Sequence, residues 1–233
     1  MVKDTEPQHI AVIVVAAGSG SRFGGAVAKQ FCCLGGRPLL MHAVDAFRHA
    51  VPGAQIIIAL SPEMMPVWQQ LCRRYNYESP QTVAGGATRS ISVRNALEAI
   101  TDNADIILIH DAARPLANSA LIDRVIRGAA QHGAVVPAVP VTDSLRRADT
   151  DTAVDRSPFR AVQTPQGFDA QLLRQAYRQP LQPRFTDDAS VVEAYGAKVT
   201  MVEGSPVNIK ITWPRDIIVA EALMKATAEE AES

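Results

Sequence analysis

Ile10-Ala11-Val12-Ile13-Val14-Val15-Ala16-Ala17-Gly18-Ser19-Gly20-Ser21-Arg22-Phe23-Gly24-Gly25, with Lys29 close behind, decides how this chain folds. Its apolar start is too short to cross a bilayer and is rich in β-branched residues, so it reads as a buried strand. A strand that empties into a glycine-rich turn leaves bare backbone N–H groups at the carboxyl edge of a sheet, where a phosphate approaches closely. Arg22 and Lys29 add fixed positive charge to the same loop, which suits a ligand carrying several phosphates. Two familiar phosphate loops do not fit. The dinucleotide fingerprint needs glycine three residues after Gly20, where Phe23 stands; Gly20 and Gly25 have Walker spacing, but Ala26 and Val27 replace the Lys-Ser/Thr pair. From this loop alone, a flexible turn with two solvated charges remains the alternative.

Working outward, residues 38–50 read as a helix, with Pro38 in its first turn and Leu39, Leu40, Ala43, Val44 and Phe47 on one face. A buried strand at 55–60, a helix after Ser61-Pro62 and a short strand at 81–83 follow. Gly85-Gly86 then precedes a helix at 88–100. A third apolar run, 106–109, closes on His110-Asp111-Ala112-Ala113-Arg114-Pro115. Asn118 or Ser119 caps a helix that ends near Gly133, and 134–139 is another buried strand. Short β-branched runs alternating with amphipathic helices predict an α/β fold, a mostly parallel sheet with helices on both faces. Ligands then gather beyond the carboxyl ends of the strands. The Gly18 loop, Gly85-Gly86 and the Asp111 stretch all fall there, although Gly85-Gly86 also reads as a plain turn.

From 140 to about 163 the alternation stops, and the pattern predicts a protruding β-hairpin. Its apolar residues Leu145, Val154, Phe159 and Val162 need cover, from a partner subunit or from the parent domain; the partner is preferred. Helix at 169–178 follows, then a loop to 185. Thr186-Asp187-Asp188-Ala189-Ser190 opens a helix at 191–195, with Thr186 read as its N-cap. Strands at 198–203 and 208–211 and a helix from Pro214 complete the expectation.

The 233 residues suffice for one sizeable core, with 47% apolar and 20% charged residues and no linker-like stretch. A net charge of −1 argues against broad nucleic-acid binding. No signal segment opens the sequence and no apolar run approaches about 20 residues, so a cytoplasmic enzyme away from the membrane is expected. Cys32, Cys33 and Cys72 suit reduced thiols, and the five histidines show no metal spacing.

The ordered set AAGSGSRFG…KQF, GGATRSISV, HDAARP, TPQGF, TDDAS and NIKIT, from Val14 to about Ala220, resembles the 2-C-methyl-D-erythritol 4-phosphate cytidylyltransferases. That family makes isoprenoid precursors by the non-mevalonate route. The resemblance implies a single Rossmann-like nucleotidyltransferase domain spanning 1–233, whose β-arm interlocks two subunits as a homodimer. It implies CMP transfer from CTP to 2-C-methyl-D-erythritol 4-phosphate with release of pyrophosphate, Mg²⁺ being held mainly by the triphosphate. By residue matching, Arg22 and Lys29 stabilise the transition state, and Arg156 and Lys210 grip the acceptor phosphate. Ala16, Ala17, Gly18, Ser19 and Gly20 hold the nucleotide through backbone groups, with Gly85, Gly86 and Ser92 at cytosine and ribose. Asp111 and Ala112 lie near ribose and phosphates; Asp111 contacts the metal or merely caps the next turn. Arg114, Ser144, Thr164 and Thr186 match acceptor-side positions. Arg156 and Ser144, being on the arm, would serve the neighbouring subunit.

Three positions depart from the family pattern: Ala28 for a usual proline, Ala87 for a common acidic residue and Ser144 for a frequent threonine. None removes a charge the chemistry needs. A ribitol-5-phosphate cytidylyltransferase would share the loop and the CTP site, but HDAARP and TDDAS favour methylerythritol phosphate. A catalytically silent nucleotide-binding module would bind CTP without turnover; the intact Arg22, Lys29, Arg156 and Lys210 argue against it. Phe23 argues against a nicotinamide dehydrogenase.

Overall fold

A computed structural model of the chain describes residues 9–18, 23, 28–101 and 103–232. The apolar run becomes strand β1 (Ile10–Val15), and beyond the glycine run a small hairpin, β2 (Cys33–Leu34) with β3 (Arg37–Pro38), leads into helix α1 (Leu39–Ala50). Pro38 stands just outside α1, where its missing N–H costs no helical bond. Strand β4 (Gln55–Leu60), helix α2 (Met65–Arg74), strand β5 (Gln81–Ala84) and helix α3 (Arg89–Leu97) continue the alternation. Strand β6 (Ile106–Asp111), helix α4 (Ser119–His132) and strand β7 (Ala134–Pro140) follow. Asn118 caps α4 by accepting from the Leu121 N–H, and Gly133 ends it at φ 80°, a conformation glycine adopts without strain.

The arm is the hairpin β8 (Leu145–Arg146) with β9 (Ala153–Val154), paired Leu145 to Val154 and Arg146 to Ala153. Among the described residues these two strands pair only with each other. The chain returns through β10 (Arg160–Val162) and β11 (Gln166–Asp169) into helix α5 (Ala170–Tyr177). It ends with α6 (Asp188–Ala194), β12 (Thr200–Glu203) and α7 (Arg215–Glu232). No described helix is long and apolar enough to cross a membrane.

One eight-stranded sheet runs β10-β7-β11-β6-β1-β4-β5, with β12 also paired to β7. β6, β1, β4 and β5 are mutually parallel, so their carboxyl ends share one edge. Alternation along β1 divides the core in two, as a strand buried on both faces requires. Ile10, Val12 and Val14 pack with α1, α2 and α4, through residues such as Phe47, Trp68 and Val125. Ala11 and Ile13 face α3, α5 and α6, through Val93, Leu173 and Val191. A third cluster joins Phe23, Leu34, Leu39, Ile211 and Ala220. Phe23, the residue that breaks the dinucleotide fingerprint, is thus part of the core, and such burial contributes about 1.5–3 kcal/mol.

Two expectations are corrected, and one strand adds to them. β11 was not foreseen: it is antiparallel to both β6 and β7 and lies between them, and its four residues carry little strand signal once Gly167 is counted. Residues 208–211 form no strand, because a side chain and an isolated backbone bond, rather than a strand ladder, take up their polar groups. Arg114 donates to the Asn208 carbonyl (2.7 Å), and the Ile211 N–H donates to the Ala113 carbonyl (2.8 Å). The N-cap of α6 is Asp187 rather than Thr186: its carboxylate accepts from the Ser190 N–H at 2.9 Å, and the Ser190 hydroxyl accepts from the Asp187 N–H at 3.4 Å.

Candidate active site

The edge formed by the ends of β1, β5 and β6 is fixed by backbone bonds before any ligand arrives. The Ala16 N–H donates to the Ala59 carbonyl (2.8 Å), and buried Gln30 donates to the Ala16 carbonyl (2.9 Å). The Gly85 N–H donates to the Leu60 carbonyl at 2.6 Å. The Gly86 N–H donates to the Ser92 hydroxyl (3.0 Å), which itself donates to the Thr88 carbonyl (2.9 Å). A Cβ on Gly85 would stand 2.4 Å from the Ala17 Cβ, and one on Gly86 would stand 2.1 Å from the Ile91 Cγ2. Only glycine permits the approach of this turn to the β1 loop at Gly85 and to α3 at Gly86. Between them opens a cleft of about 440 Å³, whose walls include Ala16, Ala17, Gly18, Lys29, Gly86 and Ser92. Gly85 lies beneath Ala17 and allows the approach without lining the space.

At the floor of this cleft β6 ends in Asp111, whose two oxygens hold two cations. Oδ2 accepts from Lys210 Nζ at 2.5 Å and Oδ1 from Arg89 Nε at 3.2 Å. Burial works against the Asp111 carboxylate, but Arg89 and then Lys210 overcome it and hold the acid well below the usual carboxylate range. Arg89 also meets Asp188 (Nη1 to Oδ2, 2.8 Å), and Tyr177 donates to the other Asp188 oxygen at 2.6 Å. Burial alone would lower the arginine's pKa; Asp188 and Asp111 reverse that and raise it. Asp188 is fully buried, and desolvation pushes its carboxyl up against the pull of Arg89.

A second cleft, about 240 Å³, lies against the first and shares Arg89, Asp111 and Lys210 with it. Arg114, Thr164 and Thr186 line it, as does Asp187. The Asp111 N–H donates to the Thr164 hydroxyl (3.0 Å), which contacts His110 Nδ1 at 3.1 Å, while His110 Nε2 lies 2.8 Å from the Arg114 carbonyl. A carbonyl accepts only, so Nε2 carries the proton and Nδ1 accepts from Thr164. Burial lowers the His110 pKa to about 4, which leaves the ring neutral near pH 7 and without the exposure a base would need.

The structure therefore brings together Ala16, Ala17, Gly18, Lys29, Gly86, Ser92, Asp111, Ala112 and Lys210 around the first cleft, and Arg114, Thr164 and Thr186 around the second. Ser19, Gly20 and Arg22 lie outside the described residues. Ser144 and Arg156 line neither cleft; both are exposed on the arm, where the Arg156 guanidinium donates to the Thr142 carbonyl. Sequence reasoning passed over Arg89 and Asp188. The signal for Arg89 was its place directly after a helix-capping Thr88 at a strand's carboxyl edge; Asp188 was hidden in a motif that local capping explained. Among the described residues no three His, Cys, Asp or Glu side chains cluster as a metal cage. A hard cation that takes most of its ligands from phosphate oxygens and water needs no such cage, and Asp111 is the acid that lines the first cleft.

Comparison with known proteins gives one answer. The family profile described as 2-C-methyl-D-erythritol 4-phosphate cytidylyltransferase matches residues 10–226. A protein of that name from Bacteroides thetaiotaomicron is 44% identical over 217 residues, covering 91% of this chain and 98% of the relative. One from Bacillus thuringiensis is 40% identical over 219 residues, covering 91% and 96%. The crystal structure of the protein of the same name from Thermus thermophilus superposes with a TM-score of 0.75 at 36% identity, covering 94% of this chain and all of that one.

Proposed function

The chain belongs to the 2-C-methyl-D-erythritol 4-phosphate cytidylyltransferase family, and we propose that its two abutting clefts perform that family's reaction. It transfers CMP from CTP to 2-C-methyl-D-erythritol 4-phosphate, giving 4-diphosphocytidyl-2-C-methyl-D-erythritol and pyrophosphate. One observation carries the assignment of roles: a cleft of nucleotide size and a smaller polar one share the wall Arg89-Asp111-Lys210 at the carboxyl edge of the parallel strands. CTP occupies the first, with its phosphates over Ala16 to Gly20 and its base and ribose against Gly86 and Ser92. The acceptor occupies the second, near Arg114, Thr164 and Thr186.

An oxygen of the acceptor phosphate attacks the α-phosphorus of CTP. The bond from the α-phosphorus to the bridging oxygen breaks, and pyrophosphate leaves with the electron pair. The nucleophile is already an anion, so no strong base is needed, in keeping with a neutral, buried His110. Catalysis then rests on alignment and on charge neutralisation at the α-phosphate. Arg22 and Lys29 supply positive charge on the nucleotide side, and Lys210 stands at the boundary where the two phosphates meet. Asp111, which lines the first cleft, would help to hold a divalent cation, Mg²⁺ in our reading, and such an ion when bound would supply charge neutralisation of the triphosphate.

The arm at 140–163 reaches a second copy, so the working unit is a homodimer in which Ser144 and Arg156 complete the neighbour's acceptor site. Phe159 and Val162, 46% and 40% exposed in this chain, support that cover. The chain acts as one nucleotidyltransferase domain, and three unpaired cysteines suit the reducing cytoplasm. Phosphorus NMR of the product tests the reaction: a new diphosphate linkage joining CMP to the acceptor is expected, and CMP with free acceptor would refute transfer.

A further inference from the structure

Arg89 is the first residue of α3, directly behind the cap Thr88, so its backbone is fixed at the base of the nucleotide cleft. Its side chain enters the wall common to both clefts, with 27% of it still open to solvent. Two carboxylates meet it on different nitrogens: Asp111 accepts a hydrogen bond from Nε, whereas Asp188 Oδ2 pairs with Nη1 at 2.8 Å through charge, without hydrogen-bond alignment. Asp188 is buried and hydrogen-bonded. Tyr177 holds its free oxygen, while its own N–H and that of Ala189 donate to Gln166 Oε1 at 3.2 and 3.0 Å. Gln166 is fixed in turn by donating to Asp187 Oδ2 at 2.8 Å.

Asp111 has a different character. One of its oxygens carries Lys210, whose side chain is 43% exposed and whose segment belongs to no strand. A long side chain on such a segment samples several positions unless something rigid holds it. The contacts form an unbroken series from a rigid anchor to that lysine: Tyr177, Asp188, Arg89, Asp111, Lys210.

We infer that Arg89 is a positioning residue for cytidylyl transfer: it ties Asp111 to the buried, hydrogen-bonded Asp188 and thereby fixes Lys210 where the triphosphate meets the acceptor phosphate. The task calls for arginine. A planar fork spreads its charge over separate nitrogens and so meets two carboxylates at once, whereas a lysine ammonium is a single point charge on a flexible stem. The inference rests on the reaction proposed above.

The test compares Arg89→Lys with the pair Arg89→Met/Asp188→Asn, which removes both charges so that no buried carboxylate is left without a partner. Thermal midpoint, CTP affinity by calorimetry, and kcat and KM from pyrophosphate release are measured on each, and on Arg89→Lys again with Lys210→Ala added. Folded variants are expected whose kcat/KM for the acceptor falls at least about tenfold, with CTP affinity held within about threefold. Because Arg89 acts through Lys210, adding Arg89→Lys to Lys210→Ala is expected to bring less than about a twofold further loss. Unchanged kinetics in Arg89→Lys, a full second loss in the Lys210→Ala background, or loss of the fold in both Arg89 variants would each overturn the inference. A silent unaltered enzyme would overturn the reaction itself, which is a different and separately visible failure.

Discussion

Lys210 Nζ and Asp111 Oδ2 lie 2.5 Å apart, although 99 positions separate them in the chain. The contact joins the end of a central parallel strand to a late segment with no regular structure, held in place by the bond from the Ile211 N–H to the Ala113 carbonyl. It sets a lysine at the boundary of the two clefts. In the proposed reaction, Lys210→Ala takes away the cation that would meet the acceptor phosphate. A drop of about 100-fold in kcat/KM for the acceptor is expected, with CTP affinity within about threefold of the parent. Steady-state kinetics with calorimetry checks this; an equal loss in CTP affinity would move Lys210 to the nucleotide side.

Gly85 marks a close approach rather than a flexible turn. An added Cβ would meet the Ala17 Cβ at 2.4 Å and the Leu60 carbonyl oxygen at 3.3 Å, and neither yields without moving backbone. Gly85→Ala is expected to lower stability by about 1–3 kcal/mol and to weaken CTP binding as Ala17 is displaced. Denaturant unfolding and calorimetry measure both. A stable variant with normal CTP affinity would show that the two loops are not rigidly apposed.

His110 gives a pH signature of folding. Its folded pKa, about 4, lies below the unfolded value of 6.5, so between these pH values the unfolded chain binds the extra proton. Stability from this group is present above pH 6.5 and is lost as pH falls towards 4. By linkage the loss amounts to about 2 kcal/mol at pH 5 relative to pH 7.5. Denaturant unfolding at the two pH values, repeated in His110→Gln, isolates the effect. The variant is expected to be less stable at pH 7.5, with a shallower pH dependence. Identical slopes would mean that the imidazole is not held neutral.

The arm is testable by complementation. Lys29→Ala removes a cation of the nucleotide cleft, and Arg156→Ala one from the arm. If the arm serves the neighbour, mixed dimers contain one site with both residues intact, and activity returns when the two inactive proteins are allowed to exchange subunits. No return in confirmed heterodimers would place Arg156 in its own chain's site. Phe159→Asp is expected to shift the protein towards monomer in sedimentation, because it sets a charge on an apolar surface that a partner would bury.

Much of this arrangement was legible in the sequence because local signals and tertiary structure agree. β1, β4 and β6 are continuous apolar runs, and a central parallel strand is written that way. Gly18, Gly86 and Asp111 fell at strand ends, so their convergence on one edge followed from topology. What escaped the reading depended on long-range partners. β11 is Gln166-Gly167-Phe168-Asp169, whose strand character comes from β6 and β7 on either side. Lys210 was expected on a strand, yet side chains such as Arg114 supply the hydrogen bonds a neighbouring strand would have made. Thr186 had the composition of a cap, but Asp187 one residue on closes the capping box with Ser190. Arg89 carried no periodic signal, and its importance emerges only from two acids distant in sequence.

Pyrophosphate release with CTP and a divalent cation, offering 2-C-methyl-D-erythritol 4-phosphate and ribitol 5-phosphate in parallel, tests the central claim most directly. Release with methylerythritol phosphate alone is the expected result. Release with ribitol phosphate alone would contradict the acceptor assignment while leaving the nucleotide cleft in place, and CTP binding without release from either would contradict catalysis altogether.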